Sequence, residues 1–171
     1  DAYFEANLWA EVVWRSHASG IVDDRVYRLL THALNYLEGD PLRAFDITTI
    51  VLWRYLEMLG VQPDVNYCAR SGRVFRSDES RFFDPTEGAF VGSEWAEARM
   101  PETNGGAARF LALVAADREI SVPLAVGLPD ASRRQARNVA VVAIQAAIGT
   151  RLNTLTVRGG TAGLSPERLP W

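Results

Sequence analysis

Arg133, Arg134 and Arg137 fall within little more than a turn of each other at the start of the last long helical pattern in the chain, and guanidinium groups placed so closely grip carboxylates or phosphates through paired N–H donors. Cations in the first turns of a helix oppose its dipole. The placement therefore asks for an acidic partner, either an acidic peptide or a phosphate backbone, with Arg151 or Arg158 extending the patch. The plainer alternative is a solvated helix face on which Asp130 serves as the local counter-ion. Other reactive chemistry is sparse. Cys68 is the only cysteine, and one thiolate cannot hold a structural zinc ion, which takes four Cys or His ligands; a small core residue is the expected role, ahead of a reactive thiol. His17 and His32 share neither a helix nor a metal-ligand spacing and are expected to be structural. No Gly-x-Ser-x-Gly, His-Glu-x-x-His or phosphate-loop pattern occurs, and the Gly105-Gly106 and Gly159-Gly160 pairs lack the flanking residues a phosphate loop needs. The residues therefore point to a binding protein, not an enzyme, with no cofactor and no metal.

The chain has 171 residues, of which 48% are hydrophobic, enough for one domain with a substantial core and a small insertion. Its net charge of −3 argues against a strongly electrostatic DNA-binding domain. All eighteen basic residues are arginine, a usage that genome composition accounts for as readily as a need for planar guanidinium forks. No uninterrupted apolar run approaches the roughly 18 residues of a membrane span; the most apolar stretch, 138–148, contains Gln145. The single cysteine and the lack of a signal-peptide pattern make a reducing cytoplasm the expected location. The chain begins at Asp1 directly in a helical pattern, from which an upstream segment is expected.

The elements that must carry these residues follow from apolar spacing. Phe4, Leu8 and Val12, widened by Trp9 and Val13, predict a first helix over 3–16, ended by Gly20. Val22, Val26, Leu29, Leu30, Ala33 and Leu37 predict a second, with Asp23 and Asp24 in its first turn. Asp40 and Pro41 read as a cap and first helical position of a third, which is apolar nearly all round through Leu59 and stops at Gly60. Such a helix belongs at the centre of a bundle. Between Gln62 and Trp95 the helical period disappears, and pieces such as 73–75 and 81–83 suit short strands joined by turns. A short helix resumes near Asn104 around Phe110, Leu111 and Val114; Pro123 and Pro129 bracket a connection; a last long helix spans 131–148 with Val141, Ile144 and Ile148 inward and Asp130 or Ser132 as cap. Trp9, Trp14, Trp53 and Trp95 fall mostly on apolar stripes and are expected in the core. The fold class is all-α: a helical bundle with a small β-ribbon insertion. The expected divisions are a first bundle part at 1–63, the insertion at 64–98, a second bundle part at 99–158 and a loosely held tail at 159–171.

The insertion has the outline of a degenerate zinc ribbon, with Tyr67-Cys68-Ala69-Arg70-Ser71-Gly72 as its first knuckle and Gly88-Ala89-Phe90-Val91-Gly92-Ser93-Glu94-Trp95 as its second. Taken with Pro41-Leu42-Arg43-Ala44-Phe45-Asp46, Leu59-Gly60-Val61-Gln62-Pro63-Asp64 and the closing run Ile148 to Leu155, the order and spacing resemble the helical part of the RecO family of DNA-repair proteins. That resemblance places the ribbon's four ligand positions at Cys68, Ser71, Gly92 and Trp95. Only one carries a thiol, so no bound zinc is expected, and packing of Phe75, Phe82, Phe83, Phe90 and Trp95 would have to hold the ribbon. The family's N-terminal OB-fold has no counterpart in these residues.

What the resemblance implies is a recombination mediator module that makes and breaks no bond, binds a RecR-like protein and the acidic tail of single-stranded DNA-binding protein, and touches nucleic acid weakly or indirectly. Arg133, Arg134, Arg137 and Arg151 would receive the acidic peptide or the nucleic acid. Two other classes stay open: a structural or scaffold subunit of a larger assembly, and a helical ligand-binding domain whose pocket is walled by the central helix.

Overall fold

The computed structural model describes residues 2–16 and 23–159. Seven α-helices surround one core among these residues: α1 (Ala2–Ser16), α2 (Asp24–Gly39), α3 (Ala44–Met58), α4 (Gly105–Ala116), α5 (Ser121–Leu124), α6 (Asp130–Ile148) and α7 (Asn153–Gly159). Between α3 and α4 lies a three-stranded antiparallel sheet of β1 (Arg81–Asp84), β2 (Ala89–Val91) and β3 (Glu102–Thr103), in the order β2-β1-β3. Phe83 faces Phe90 across the β1–β2 pair, and Arg81 faces Thr103 across β1–β3.

Helix α3 is the axis of the bundle. Its composition leaves no polar face to turn to water, and every residue from Ile47 to Leu56 is buried, with α6 and α2 laid along it and α1 and α4 closing the remaining sides. Each ~20–25 Å2 increment of apolar surface removed from water contributes about 0.5 kcal/mol. The continuous burial of Ile47, Ile50, Val51, Leu52, Trp53 and Leu56 is therefore the main hydrophobic term of the domain. The polar residues inside α3 find partners: Thr48 Oγ1 accepts from Trp9 Nε1 at 2.9 Å, and Thr49 Oγ1 donates to the Phe45 carbonyl. Gly60, at φ 74°, takes the left-handed conformation that ends the helix.

Several local expectations differ from what the chain does. Asp40 does not cap α3; Pro41–Arg43 forms a separate 3-10 turn, and the α-helix begins at Ala44. Segment 73–75 forms no strand beyond a single bridge between Tyr67 and Val74. The sheet reaches past residue 98 to Thr103, so the insertion and the second bundle part share β3. Pro123, expected to open a connection, lies inside the single turn of α5, and α6 starts at Asp130 with no side-chain cap. Trp14 is 77% exposed, off the apolar stripe that buries Leu8, Trp9 and Val12. His17, Gly20, Val22, Gly160 and the tail from 160 lie outside the described residues, as does the Arg158 side chain.

The closing run Ile148 to Leu155 is not one helix. Gly149, at φ 65°, terminates α6, Gln145 Oε1 accepts from the Leu152 backbone N–H at 3.1 Å, and α7 then turns back onto α1. The joint is a carboxylate: Glu11 on α1 accepts from the backbone N–H groups of Asn153 and Thr154, both at 2.8 Å, from the Thr154 hydroxyl at 2.7 Å and from Arg15 at 2.7 Å. Burial pushes the Glu11 carboxyl up, but the hydrogen bonds from Thr154, Asn153 and Arg15 together outweigh it and bring it down to about 2. A carboxyl depressed on folding stabilises the fold above its ordinary value of 4.5 and loses that contribution as pH falls towards about 2. Amide exchange in residues 153–159 should therefore quicken selectively as pH drops through this window, once the intrinsic exchange rate is divided out. Glu11→Gln should make the same amides exchange fast at neutral pH and remove the pH dependence; equal protection in both proteins would show that the joint lies elsewhere.

Candidate functional site

The first turns of α1, α3 and α6 meet at one end of the bundle, which brings three positive helix ends together. Two carboxylates sit among them, Glu5 on α1 and Asp46 on α3. The arginines that the sequence offered to a partner answer these. Arg133 grips Asp46 with both arms of its fork, Nε to Oδ1 at 2.9 Å and Nη2 to Oδ2 at 2.8 Å, and the Asp46 carboxylate raises the Arg133 guanidinium pKa. Arg137 is buried, donates from Nη2 to Glu5 Oε2 at 2.6 Å and from Nη1 to the Phe45 carbonyl at 3.3 Å, and lies 5.0 Å over the Phe45 ring. The placement that looked unfavourable along α6 alone is thus explained by carboxylates of the same chain.

The four predicted binding residues consequently do not form one surface. Arg133 is half-buried in its ion pair, Arg137 is interior, and Arg151 is half-buried beyond the far end of the 19-residue α6. Arg134 is the exposed member of the set. Asp130, expected as the local counter-ion, lies 3.7 Å from Arg133, behind Asp46 in strength.

The segment expected as the first knuckle closes into a tight turn on Cys68. The Cys68 N–H donates to the Arg73 carbonyl at 2.9 Å and the Gly72 N–H returns to the Cys68 carbonyl at 2.8 Å, with Gly72 at φ 69° making the turn. Ala69 N–H reaches the Phe90 carbonyl at 2.8 Å and ties the first knuckle to the second. Burial pushes the Cys68 thiol up, yet the Ser71 hydroxyl and the backbone N–H groups of Ser71, Gly92 and Arg70 all bond to the sulfur and leave it below its ordinary value. Two of the three other ligand positions implied by resemblance, Ser71 and Gly92, thus do converge on Cys68. They do not fit a zinc ion. One thiolate is present where four Cys or His ligands are needed, and a Cβ built on Gly92 would meet the Glu94 carboxylate at 2.3 Å. No group of three or more His, Cys, Asp or Glu side chains with metal-binding geometry occurs among the described residues.

Arginine and aromatic rings hold the ribbon. Arg73 binds Glu79 with both arms, at 2.9 and 2.5 Å, and keeps that carboxyl down at about 2, while Glu94 stands 3.7 Å from the same guanidinium. Buried Arg81 lies 4.8 Å over the Phe75 ring and donates to the backbone carbonyls of Val65, Arg76 and Glu79, gathering the loop 65–79 onto β1. Phe90 meets Phe83 edge-on at 5.6 Å and Trp53 of α3 at 6.5 Å, so the sheet is fastened to the central helix.

One grouping has no signature in the linear sequence. Arg28 and His32 on α2, Arg54 on α3 and Arg118 after α4 line a single cleft of about 270 Å3. They come from three separate segments, none with a motif. His32, expected to be structural, is exposed on this cleft.

Removing one partner of a buried ion pair strands the other charge, at a cost of about 3–5 kcal/mol. Arg137→Ala should destabilise the domain by about that much in urea titration, whereas Arg134→Ala should leave the midpoint within about 0.5 kcal/mol of the parent. Pairing Arg137→Met with Glu5→Leu should recover most of the loss; additive losses in the double variant would show that the two side chains act independently. Cys68 has no accessible surface, so a disulfide reagent should fail to label it in the native protein and should label it stoichiometrically in denaturant. Fast native labelling would place the thiol on the surface.

A comparison with curated proteins finds no match to the chain. The model of a protein family described as "Recombination protein O C terminal" matches residues 1–155, which includes both the helical bundle and the ribbon. This match extends across nearly the whole chain, and the helical architecture with one small sheet agrees with it: the chain belongs to the RecO C-terminal family and is a helical domain of DNA recombination and repair.

Proposed function

We propose that this domain is a recombination mediator module that works by binding alone, contacting a RecR-like protein and the acidic tail of single-stranded DNA-binding protein in a reducing cytoplasm, with nucleic acid touched weakly or indirectly. The family match over residues 1–155 carries this reading. The scarcity of catalytic groups supports it: the one thiol is interior, and His32 stands alone of its kind among the described residues. No helix of the described residues is long and apolar enough to cross a membrane, in keeping with a protein that meets its partners in solution. For the acidic tail, Arg134 on the exposed side of α6 is the contact we propose; Arg133 and Arg137 contribute by fixing the helix that presents it.

A second reading has an observation in its favour. Arg133 and Arg137 are used inside the fold, as a structural subunit that fills an interface would use them. Titrating the chain with single-stranded DNA and with an acidic tail peptide at two salt concentrations separates the readings. A mediator should bind the peptide, more weakly at the higher salt. Arg134→Ala should loosen the peptide by up to about fivefold, the worth of one exposed ion pair of about 1 kcal/mol. Silence towards both ligands would leave the scaffold reading standing, and an unchanged dissociation constant in Arg134→Ala would remove that residue from the tail site.

A further inference from the structure

Arg54 is a charged residue in the wrong place for stability. It sits on the central helix, 7% exposed, with its Nη2 bonded to the backbone carbonyl of Asp117 at 2.7 Å and its Nε without a partner. It forms no ion pair among the described residues; Glu57, Asp117 and Glu119 act on it only at longer range, and burial pulls its pKa down despite them. A buried guanidinium bonded to a single neutral oxygen is expensive to maintain. Every other buried arginine among the described residues has more: Arg137 has Glu5, and Arg81 has three carbonyls and a ring face.

The cleft that Arg54 lines explains what it awaits. Arg28, exposed on α2, takes part in no hydrogen bond or ion pair among the described residues and faces the same space, as does His32 one turn further along. Arg118 closes the rim from the segment after α4 and holds Glu57 only at 3.6 Å with its side chain largely in water. Arg25 also lines the cleft, but both arms of its fork are taken by Asp23, so it adds little. Of the two lining carboxylates, Glu57 has only the loose 3.6 Å contact with Arg118, which leaves the Arg118 donors available, and Asp117 Oδ1 accepts from the Glu119 backbone N–H at 2.8 Å. Leu29, Met58 and Ile120 supply an apolar wall. Two guanidiniums without a carboxylate, Arg54 below and Arg28 above, converge from different helices, with Arg118 and His32 as further donors. A dianion with several acceptor oxygens matches that set better than a lone carboxylate, since guanidinium forks bind phosphate through paired N–H donors.

We propose that the cleft between α2, α3 and the segment following α4 is an oxyanion site for a phosphate group, anchored by Arg54 and gated by Arg28, Arg118 and His32. The group comes either as free inorganic phosphate or as the monoester of a nucleotide, whose base and sugar would lie against Leu29, Met58 and Ile120. The site is separate from Arg134 and stands or falls independently of the partner reading above.

Calorimetric titration at low ionic strength with inorganic phosphate, thymidine 5′-monophosphate and unphosphorylated thymidine tests the proposal. Saturable binding of phosphate or the monophosphate is expected, with thymidine inert. A monophosphate at least tenfold tighter than phosphate identifies the ester as the source, and equal affinities identify the free ion. Arg28→Ala, an exposed change that leaves the core untouched, should weaken binding by roughly tenfold or more, since hydrogen bonds to charged groups contribute about 1.5–3 kcal/mol. Arg54→Leu should abolish binding while leaving the unliganded melting temperature unchanged or higher, because the stranded charge is gone. Absence of saturable binding by either phosphate overturns the site. So does an unchanged dissociation constant in Arg28→Ala combined with Arg118→Ala, which decides the matter even if Arg54→Leu fails to fold.

Discussion

The buried pair between Arg137 and Glu5 is the constraint around which the bundle is organised. Three helices begin side by side, and three positive helix ends in one place repel each other unless negative charge is set between them. Glu5 and Asp46 supply that charge. Burying the Glu5 carboxylate and half-burying that of Asp46 would themselves be costly, and Arg137 and Arg133 answer them from the first turns of α6. The order of attraction is therefore helix ends, carboxylates, arginines, and each layer is needed because of the one before. The Phe45 ring under Arg137 adds a cation–π contact and keeps water from the pair.

This arrangement makes sense of a central helix with no wet face. Because α3 is covered from Ile47 to Leu56, nothing on its flank can orient it by contact with solvent, and apolar packing alone tolerates rotation and sliding among similar side chains. The polar contacts at its ends are specific where the packing is not. At the start, Asp46 and the Phe45 carbonyl meet α6; within the next turn, Thr48 meets Trp9 of α1; after the end, Gln62 Nε2 donates to the Trp53 carbonyl at 2.7 Å. Register is fixed by few bonds, and most of the burial energy is then gained without ambiguity.

Much of this was legible in the sequence, and the limits are physical. The stripes of α2 and the all-round apolar character of α3 are properties of consecutive residues, so periodicity reads them directly: Val26, Leu29, Ala33 and Leu37 are all buried as spaced. The glycine stop at Gly60 and the start of a helix near Asn104 are likewise local. What periodicity could not supply was the partner of an arginine. Arg133 reads the same on a helix wheel whether it meets a peptide or Asp46, 87 positions earlier in the chain. The end of α6 at Gly149 was local and legible, but the helix α7 that follows it was hidden for a related reason, since Glu11, which caps α7, lies more than 140 positions before it. Arg28, Arg54 and Arg118 gave no signal at all, because their convergence is a product of the fold and their local surroundings contain no motif. Trp14 departs from the core because residue 14 falls off the stripe of Leu8 and Val12, and the size of its ring does not override that position.

The insertion is held by backbone bonds, aromatic contacts and arginine pairs. Burial of the Cys68 thiol is outweighed by hydrogen bonds from Ser71, Gly92 and Arg70, which together lower its pKa. Ala69 bonds across to Phe90, Phe90 is wedged between Phe83 and Trp53, and Arg73 spans Glu79 and reaches towards Glu94, whose carboxylate fills the space a side chain at position 92 would need. A guanidinium is a diffuse cation with directional donors, so Arg73 can serve two carboxylates at once. Exposed ion pairs contribute little, so the clasp holds only because the aromatic wedge against α3 carries most of the load. Ribbon and bundle are therefore one cooperative unit, and the central helix that orders the bundle's charges also anchors the ribbon's rings.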